Sequence, residues 1–238
     1  MLYPEAVAPR LLNGRLALVT GAGQGNGRAI ALGLAQAGAR VVVTDMNAAA
    51  VEETAGLVRA ASGQAWAYTL DVTDAEACHA LAAQVGRDVG AIDILVNNAG
   101  IIIREGTASE RAAANWKKTL DVNVHGTFNV SLAWLPAIQS TKGSIINIAS
   151  IAAYAGQAGS LGYSPSKGAI KMFTQSLAAE QAPCGVRVNA LAPGSFSFAL
   201  HGYDSVLLYA EAVKQAKTTD GSAVRLALED LKTPVQGV

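Results

Sequence analysis

Short runs of β-branched and aliphatic residues recur along the chain, separated by longer alanine-rich stretches whose apolar positions repeat at helical spacing. The runs are RLALVT (15–20), ARVVVTD (39–45), AWAYTLD (65–71), IDILVN (92–97), GSIINIA (143–149) and GVRVNALA (185–192). They are nearly continuous in apolar character, which is how strands read when both faces of a parallel sheet are covered. The stretches between them predict helices at about 26–37, 48–61, 74–89, 109–139 and 163–182. Strand and helix in regular alternation imply right-handed crossovers and a doubly wound α/β fold with strand order 3-2-1-4-5-6.

The rhythm stops after Ala192. Residues 205–217 and 221–231 keep helical spacing, with Val206, Tyr209 and Val213 in one stripe, Val224, Leu228 and Leu231 in another, and Asp220 placed to cap the second. Only the terminal PVQGV could form a strand. A seventh strand is therefore expected to be missing or replaced, with a helical tail in its stead. VRVNALA then becomes an edge whose N–H and C=O groups need a cover from the tail, the PVQGV end or a second subunit.

Composition narrows the partners. Lysine plus arginine equals aspartate plus glutamate at 18 each, so no global field recruits nucleic acid or an anionic membrane surface. The opening MLYPEAVAPRLLNG lacks a cationic region followed by a long apolar run, and no window approaches about 18 uninterrupted apolar residues; a soluble, cytoplasmic protein is expected. Cys78 and Cys184 stand far apart without metal-ligand spacing, which predicts free thiols and no metal site.

The candidate chemistry begins at TGAGQGNG (20–27), which follows a strand and opens a helix. Gly21 permits the tight exit, Gly25 lets backbone approach a pyrophosphate, and Gly27 lets helix and strand pack closely while the helix N-terminus faces the anion. Asp45 ends the second strand, where a carboxylate can accept hydrogen bonds from ribose hydroxyls. It would repel a 2′-phosphate, and Gln24 offers no guanidinium in compensation, so NAD is favoured over NADP. The alternative for Asp45 is a solvated strand end.

YSPSK (163–167) supplies the second constellation. Residues four apart share a helix face, so the phenol of Tyr163 and the ammonium of Lys167 converge, and a neighbouring cation favours phenolate. Alone this pair is also what an ordinary amphipathic helix carries. Ser150, 13 residues upstream, ends the fifth strand on the carboxyl edge, where ligands bind in open α/β sheets. Asn123, in the long fourth helix, reads by itself as an interior polar residue with a backbone partner. His125, two positions on, reads as a helix-surface histidine, and Trp116 and Trp134 read as core packing.

Taken together, TGAGQGNG, Asp45, Asp71–Val72, NNAG (97–100), Asn123, Ser150, Tyr163, Lys167 and APG (192–194) resemble, in order and spacing, the short-chain dehydrogenase/reductase family over residues 14 to about 195. The resemblance implies a Rossmann-type fold and hydride transfer between NAD(H) and a secondary alcohol or ketone, such as a polyol, a sugar or a hydroxy or oxo compound. It implies that Tyr163 exchanges the proton with substrate, that Lys167 binds the nicotinamide ribose and assists Tyr163, that Ser150 orients the reacting carbonyl or alcohol, and that Asn123 holds a water in the proton relay. It assigns Gly21, Gln24, Gly25, Asn26, Gly27 and Asp45 to the cofactor, Asp71 and Val72 to adenine, Asn98, Ala99 and Gly100 to the adenosine side, and Pro193 and Gly194 to the nicotinamide wall. It leaves a homodimer or a homotetramer open.

Three departures accompany the resemblance. Asn26 stands where the family has an aliphatic residue, Phe198 stands where a threonine is frequent with Ser197 an imperfect substitute, and nothing after Gly194 follows the family pattern. Instead, residues 202–238 resemble a late segment of the substrate-binding proteins of branched-chain amino acid transporters, without the two lobes that would hold a ligand. The chain divides accordingly into an arm (1–14), a dinucleotide-binding catalytic domain (15–195) and an atypical tail (196–238). Two readings of function follow: an NAD-dependent dehydrogenase, or a dinucleotide-binding protein whose replaced tail impairs or abolishes turnover. A weaker third, an amino acid binding fragment, rests on the tail alone.

Overall fold

The computed structural model describes residues 10–194. The expected tail helices, the boundary at Ser195 and the roles of Ser197 and Phe198 lie outside the described residues. Within them, six strands form one parallel sheet: β1 (Leu16–Thr20), β2 (Arg40–Asp45), β3 (Ala65–Thr69), β4 (Ile94–Asn97), β5 (Ser144–Ile148) and β6 (Arg187–Leu191). Their order is β3-β2-β1-β4-β5-β6, as the alternation of elements implies. Among the described residues β6 pairs with β5 alone and is an edge of the sheet.

All five residues of β1 are buried, which requires cover on both faces. Leu16 and Leu18 pack with Val85 of α3 (Ala75–Asp88), Trp134 and Ile138 of α5 (Gly126–Thr141), and Leu177 of α6 (Tyr163–Gln181). Ala17 and Val19 point the other way, toward Ile30 and Leu34 of α1 (Gly25–Gln36) and Val51 and Val58 of α2 (Ala48–Ala60). Alternation along one strand thus feeds two cores. Ile146 and Ile148 of β5 lie on the second face and are only partly buried among the described residues. The side chains of Asn47 and Asp74 cap α2 and α3 by accepting from Ala50 and Ala77 backbone N–H groups.

Three expectations need correction. The stretch read as one helix over 109–139 begins as α4 (Ala112–Leu120), passes through a π-helical turn (Asp121–His125) and continues as α5 to Thr141. A π turn admits one extra residue into a single turn, so a count of apolar spacing reads straight through it. Trp134 is 1% exposed and belongs to the core, but Trp116 is 42% exposed and does not. Its position on α4, before the π turn, leaves it outside the stripe that α5 buries.

The third strand also stops earlier than its apolar run: Leu70 still donates to the Asp45 carbonyl at 2.9 Å, and at Asp71 the chain turns away. The Asp71 carboxylate accepts from the backbone N–H and the hydroxyl of Thr73, which turns the chain toward α3. Val72 is then wedged against Gly126, the first residue after the π turn. A Cβ at Gly126 would lie 2.5 Å from Val72 Cγ2. Gly126→Ala is therefore expected to destabilise the protein by about 1–3 kcal/mol in chemical denaturation. Adding Val72→Ala should recover part of that loss, and strictly additive losses would show that the contact is not the cause.

Candidate active site

A cavity of about 1080 Å³ runs along the carboxyl edge of the sheet, from the loop after β1 past the ends of β2 and β3 to the ends of β4 and β5. Each strand delivers a residue to it: Gly21 after β1, Asp45 ending β2, Asp71 after β3, Asn98 after β4, Ser150 after β5 and Pro193 after β6. In a parallel sheet the strand ends share one edge, so side chains far apart in sequence converge there.

The glycine-rich loop is held against β4. Asn98 Nδ2 donates to the carbonyls of Thr20 and Gly21 at 2.9 and 3.0 Å, and Thr20 Oγ1 accepts from the N–H groups of Asn98 and Ala99 at 3.1 and 3.0 Å. The approach is so close that a Cβ on Gly27 would lie 2.1 Å from the Gly21 oxygen and 2.5 Å from Asn98 Nδ2. Gly25 opens α1 with a left-handed φ of 54°, and the N-cap Gln24 makes no side-chain bond to the helix. The first-turn N–H groups of α1 are thus left for an anion. Asn26 lines the cavity, and its Oδ1 is buried with no hydrogen-bond partner in the described structure. A tight glycine cradle and an uncapped helix start fit a bound dinucleotide phosphate, whereas the Asn26 oxygen, an acceptor, fits a donor on the ligand rather than its phosphate.

Asp45 meets the same loop. Its Oδ2 accepts from the Gly23 N–H at 3.0 Å and its Oδ1 from the Asn47 N–H at 3.0 Å, so the carboxylate is fixed at the cavity wall. Gly23 gives it that place, since a Cβ there would lie 2.9 Å from Asp45 Cγ and Oδ2. Neither Thr20 nor Gly23 is marked as a site residue by the sequence pattern; only their partners reveal them. Arg28 supplies a guanidinium that the motif reading overlooked, but it is spent below the loop on Glu53, Thr54 and the Gly23 carbonyl.

At the other end, Ser150, Tyr163 and Lys167 all line the cavity. Ser150 is 8% exposed; its Oγ accepts from the Ala152 N–H at 3.1 Å and its own proton is given to no described residue. Tyr163 is the first residue of α6, and its phenol oxygen likewise has no hydrogen-bond partner among the described residues. Lys167, one turn on, is 6% exposed, with Nζ 5.7 Å from the Tyr163 ring centre and donating to the Ile148 carbonyl at 2.6 Å. Burial pushes its pKa down from 10.5 to about 8.

Asn123 lies on the π turn, is 1% exposed and stands just behind the cavity wall. Its Oδ1 accepts from the Ile101 N–H at 2.7 Å, and its Nδ2 donates to the Ile101 carbonyl at 2.9 Å and to Ser166 Oγ at 3.0 Å. The expected backbone partner is therefore Ile101, on the β4–α4 loop. His125 is a rim residue, 66% exposed at its side chain, with Nδ1 3.2 Å from Asp121 Oδ1. Ala99, Gly100, Val72 and Pro193 also border the cavity, while Gly194 is the last described residue. Pro193 accepts from the Ile151 N–H at 3.1 Å, which ties the exit of β6 to the loop after Ser150.

Comparison with known proteins agrees with this arrangement. The short chain dehydrogenase family model matches residues 15–203. An uncharacterized oxidoreductase of Bacillus subtilis, YxbG, is 37% identical over 77% of this chain and 67% of its own length. The probable oxidoreductase EphD of Mycobacterium tuberculosis is 40% identical over 75% of this chain but only 30% of its own length. A metagenomic short-chain oxidoreductase crystallised in complex with NADP superposes with a TM-score of 0.77 at 34% identity, covering 83% of this chain and 91% of the other. No helix among the described residues is long and apolar enough to cross a membrane. With its sheet order, glycine cradle and Ser150, Tyr163 and Lys167 on one cavity, the chain belongs to the short chain dehydrogenase family of oxidoreductases.

Proposed function

We propose that this oxidoreductase uses NAD(H) to interconvert a secondary alcohol and the corresponding ketone, its substrate being a polyol, a sugar or a hydroxy or oxo compound. The observation that carries the reading is the single cavity that has the Asp45 carboxylate at one end and Ser150, Tyr163 and Lys167 at the other. When bound, the nicotinamide dinucleotide supplies the hydride acceptor or donor. The glycine loop and the first turn of α1 hold its phosphates, Asp45 its adenosine ribose, and Asp71 and Val72 its adenine.

The residues at the catalytic end divide the proton work. The unpaired hydroxyl of Ser150 donates to the substrate oxygen and fixes it beside the phenol. Tyr163 takes the alcohol proton in oxidation and returns it in reduction. Lys167 provides positive charge next to the phenol ring and reaches the nicotinamide ribose. Asn123 holds the β4–α4 loop and a water in the proton path. The same reading makes the protein a cytoplasmic enzyme, acting as a homodimer or homotetramer on a small molecule.

Asp45 favours NAD because both carboxylate oxygens are fixed by backbone N–H groups and cannot swing away from a 2′-phosphate. Arg28, the nearby guanidinium, is committed to Glu53 and Thr54. NADH titration followed by fluorescence, then a screen of polyols and hydroxy acids for NADH production, separates an enzyme from a protein that only binds. Tight NADH binding without turnover on any alcohol would favour the latter. In an active protein, Tyr163→Phe should lower kcat by roughly 10²–10⁴-fold with NADH binding retained; unchanged turnover would defeat the mechanism. Wild-type protein should prefer NAD, and Asp45→Asn should narrow that preference by about tenfold, a charge effect of roughly 1.4 kcal/mol. A wild type that turns over faster with NADP would remove Asp45 as selector.

The buried ammonium has a cost that can be measured without substrate. Its folded pKa of about 8 lies below its ordinary 10.5, so between those values the unfolded chain carries a proton the folded chain has lost, and stability rises with pH across that window. Below about pH 8 the full penalty stands. Lys167→Met should therefore raise Tm at pH 7 by roughly 2–6 °C, net of the lost bond to Ile148, with the gain shrinking toward pH 10. A lower Tm at pH 7 would show that the bond outweighs the buried charge.

A further inference from the structure

Ser166 sits between Tyr163 and Lys167 in sequence and is fully buried. Its hydroxyl proton is committed to the Tyr163 carbonyl at 2.7 Å. With that proton spent, Oγ can only accept from Asn123 Nδ2, 3.0 Å away. Asn123 must then present its NH₂ to Ser166 and to the Ile101 carbonyl, which leaves Oδ1 facing the Ile101 N–H. Turning the amide over would set oxygen against oxygen and N–H against N–H at Ile101. The Ile101 backbone and the Ser166 hydroxyl thus demand the same orientation of the Asn123 amide.

The chain of contacts crosses the site. It begins at the backbone of Tyr163 on α6, passes through the π turn and ends on the β4–α4 loop. There Gly100 is confined between Asn123 and Lys167: a Cβ on it would lie 3.1 Å from Asn123 Oδ1 and 3.6 Å from Lys167 Nζ. The loop that walls the lysine is thereby held to the helix that carries the phenol.

We propose that Ser166 is a positioning residue for the reaction: by accepting from the Asn123 amide while donating to the Tyr163 carbonyl it ties the Gly100–Ile101 wall to the first turn of α6, and so sets the placement of Tyr163 and Lys167. Ser166 touches no reacting atom. The inference rests on the dehydrogenase reading above, and its test has one arm that needs no turnover.

The first arm is hydrogen exchange of the full-length protein, read by mass spectrometry on the peptide containing Ile101. Ser166→Ala leaves a buried Asn123 N–H without an acceptor, and exchange at Ile101 should speed up by about three- to tenfold, the value of one hydrogen bond, while β1 stays protected. Ser166→Thr, which keeps the hydroxyl, should restore protection. Should the alanine variant fail to fold, Ser166→Cys fills the volume with a weaker hydrogen-bonding group and is expected to raise exchange in the same peptide. The second arm is kinetic: Ser166→Ala should lower kcat by about three- to tenfold with KM for NAD unchanged, and should add nothing to the loss in an Asn123→Ala background. Unchanged Ile101 exchange overturns the proposal, as does a kinetic loss of the same size with and without Asn123. If wild-type protein binds NADH yet turns over no alcohol, the dehydrogenase reading has failed and the exchange arm alone decides this one.

Discussion

The contact on which the rest of the site depends is the clamp between the loop after β1 and the loop after β4. Asn98 donates to two successive carbonyls of the glycine loop, and Thr20 returns the favour by accepting from two successive N–H groups of the NNAG turn. Four bonds across neighbouring strands leave no room for a side chain at Gly27. Backbone groups of a loop otherwise exposed to water become a fixed wall, and α1 is forced to begin where its free N–H groups face the cavity. The glycine cradle is thus a product of sheet order: only with β4 beside β1 can Asn98 reach Thr20 and Gly21.

The catalytic end is organised by a different balance. Burying a lysine ammonium is unfavourable unless donors and acceptors are arranged around it. Among the described residues Lys167 has a single acceptor, the carbonyl of Ile148 at the end of β5, and burial accordingly lowers its proton affinity. A site built for stability alone would place an apolar side chain there. That cost comes with a lysine beside the Tyr163 ring whose Nζ spends one N–H on Ile148. Here the fold gives up local stability at the wall of its main cavity.

Much of this was legible in the sequence, and for a physical reason. Strands buried on both faces leave continuous apolar runs, so strand order followed from counting elements; Asp45, Ser150 and the Tyr163–Lys167 pair stand out because strand ends and four-residue helical spacing place them on one edge. What escaped depends on partners distant in sequence. Trp116 reads as core by spacing, but the π turn that follows α4 removes it from the stripe buried by α5. Thr20 and Gly23 look like ordinary turn residues until Asn98 and Asp45 arrive from other strands. Ser166 was hidden inside YSPSK, where the eye goes to the ends of the motif.

The π turn is where these threads meet. A regular helix from Ala112 to Thr141 would carry Asn123 and Gly126 in one uninterrupted stripe, yet the two residues have different tasks. Asn123 must enter the wall of the site and bond both polar groups of Ile101, whereas Gly126 must leave space for Val72 at the end of β3. Widening one turn by a residue changes the phase between them and lets both be met. On the exposed side Lys117, Asp121 and His125 follow one another at four-residue spacing, with Asp121 3.2 Å from His125 and 2.5 Å from Lys117. The irregularity is therefore not a defect in the helix: it lets one continuous segment bond the β4–α4 loop through Asn123 and make room for Val72 through Gly126, which a helix of constant phase could not do.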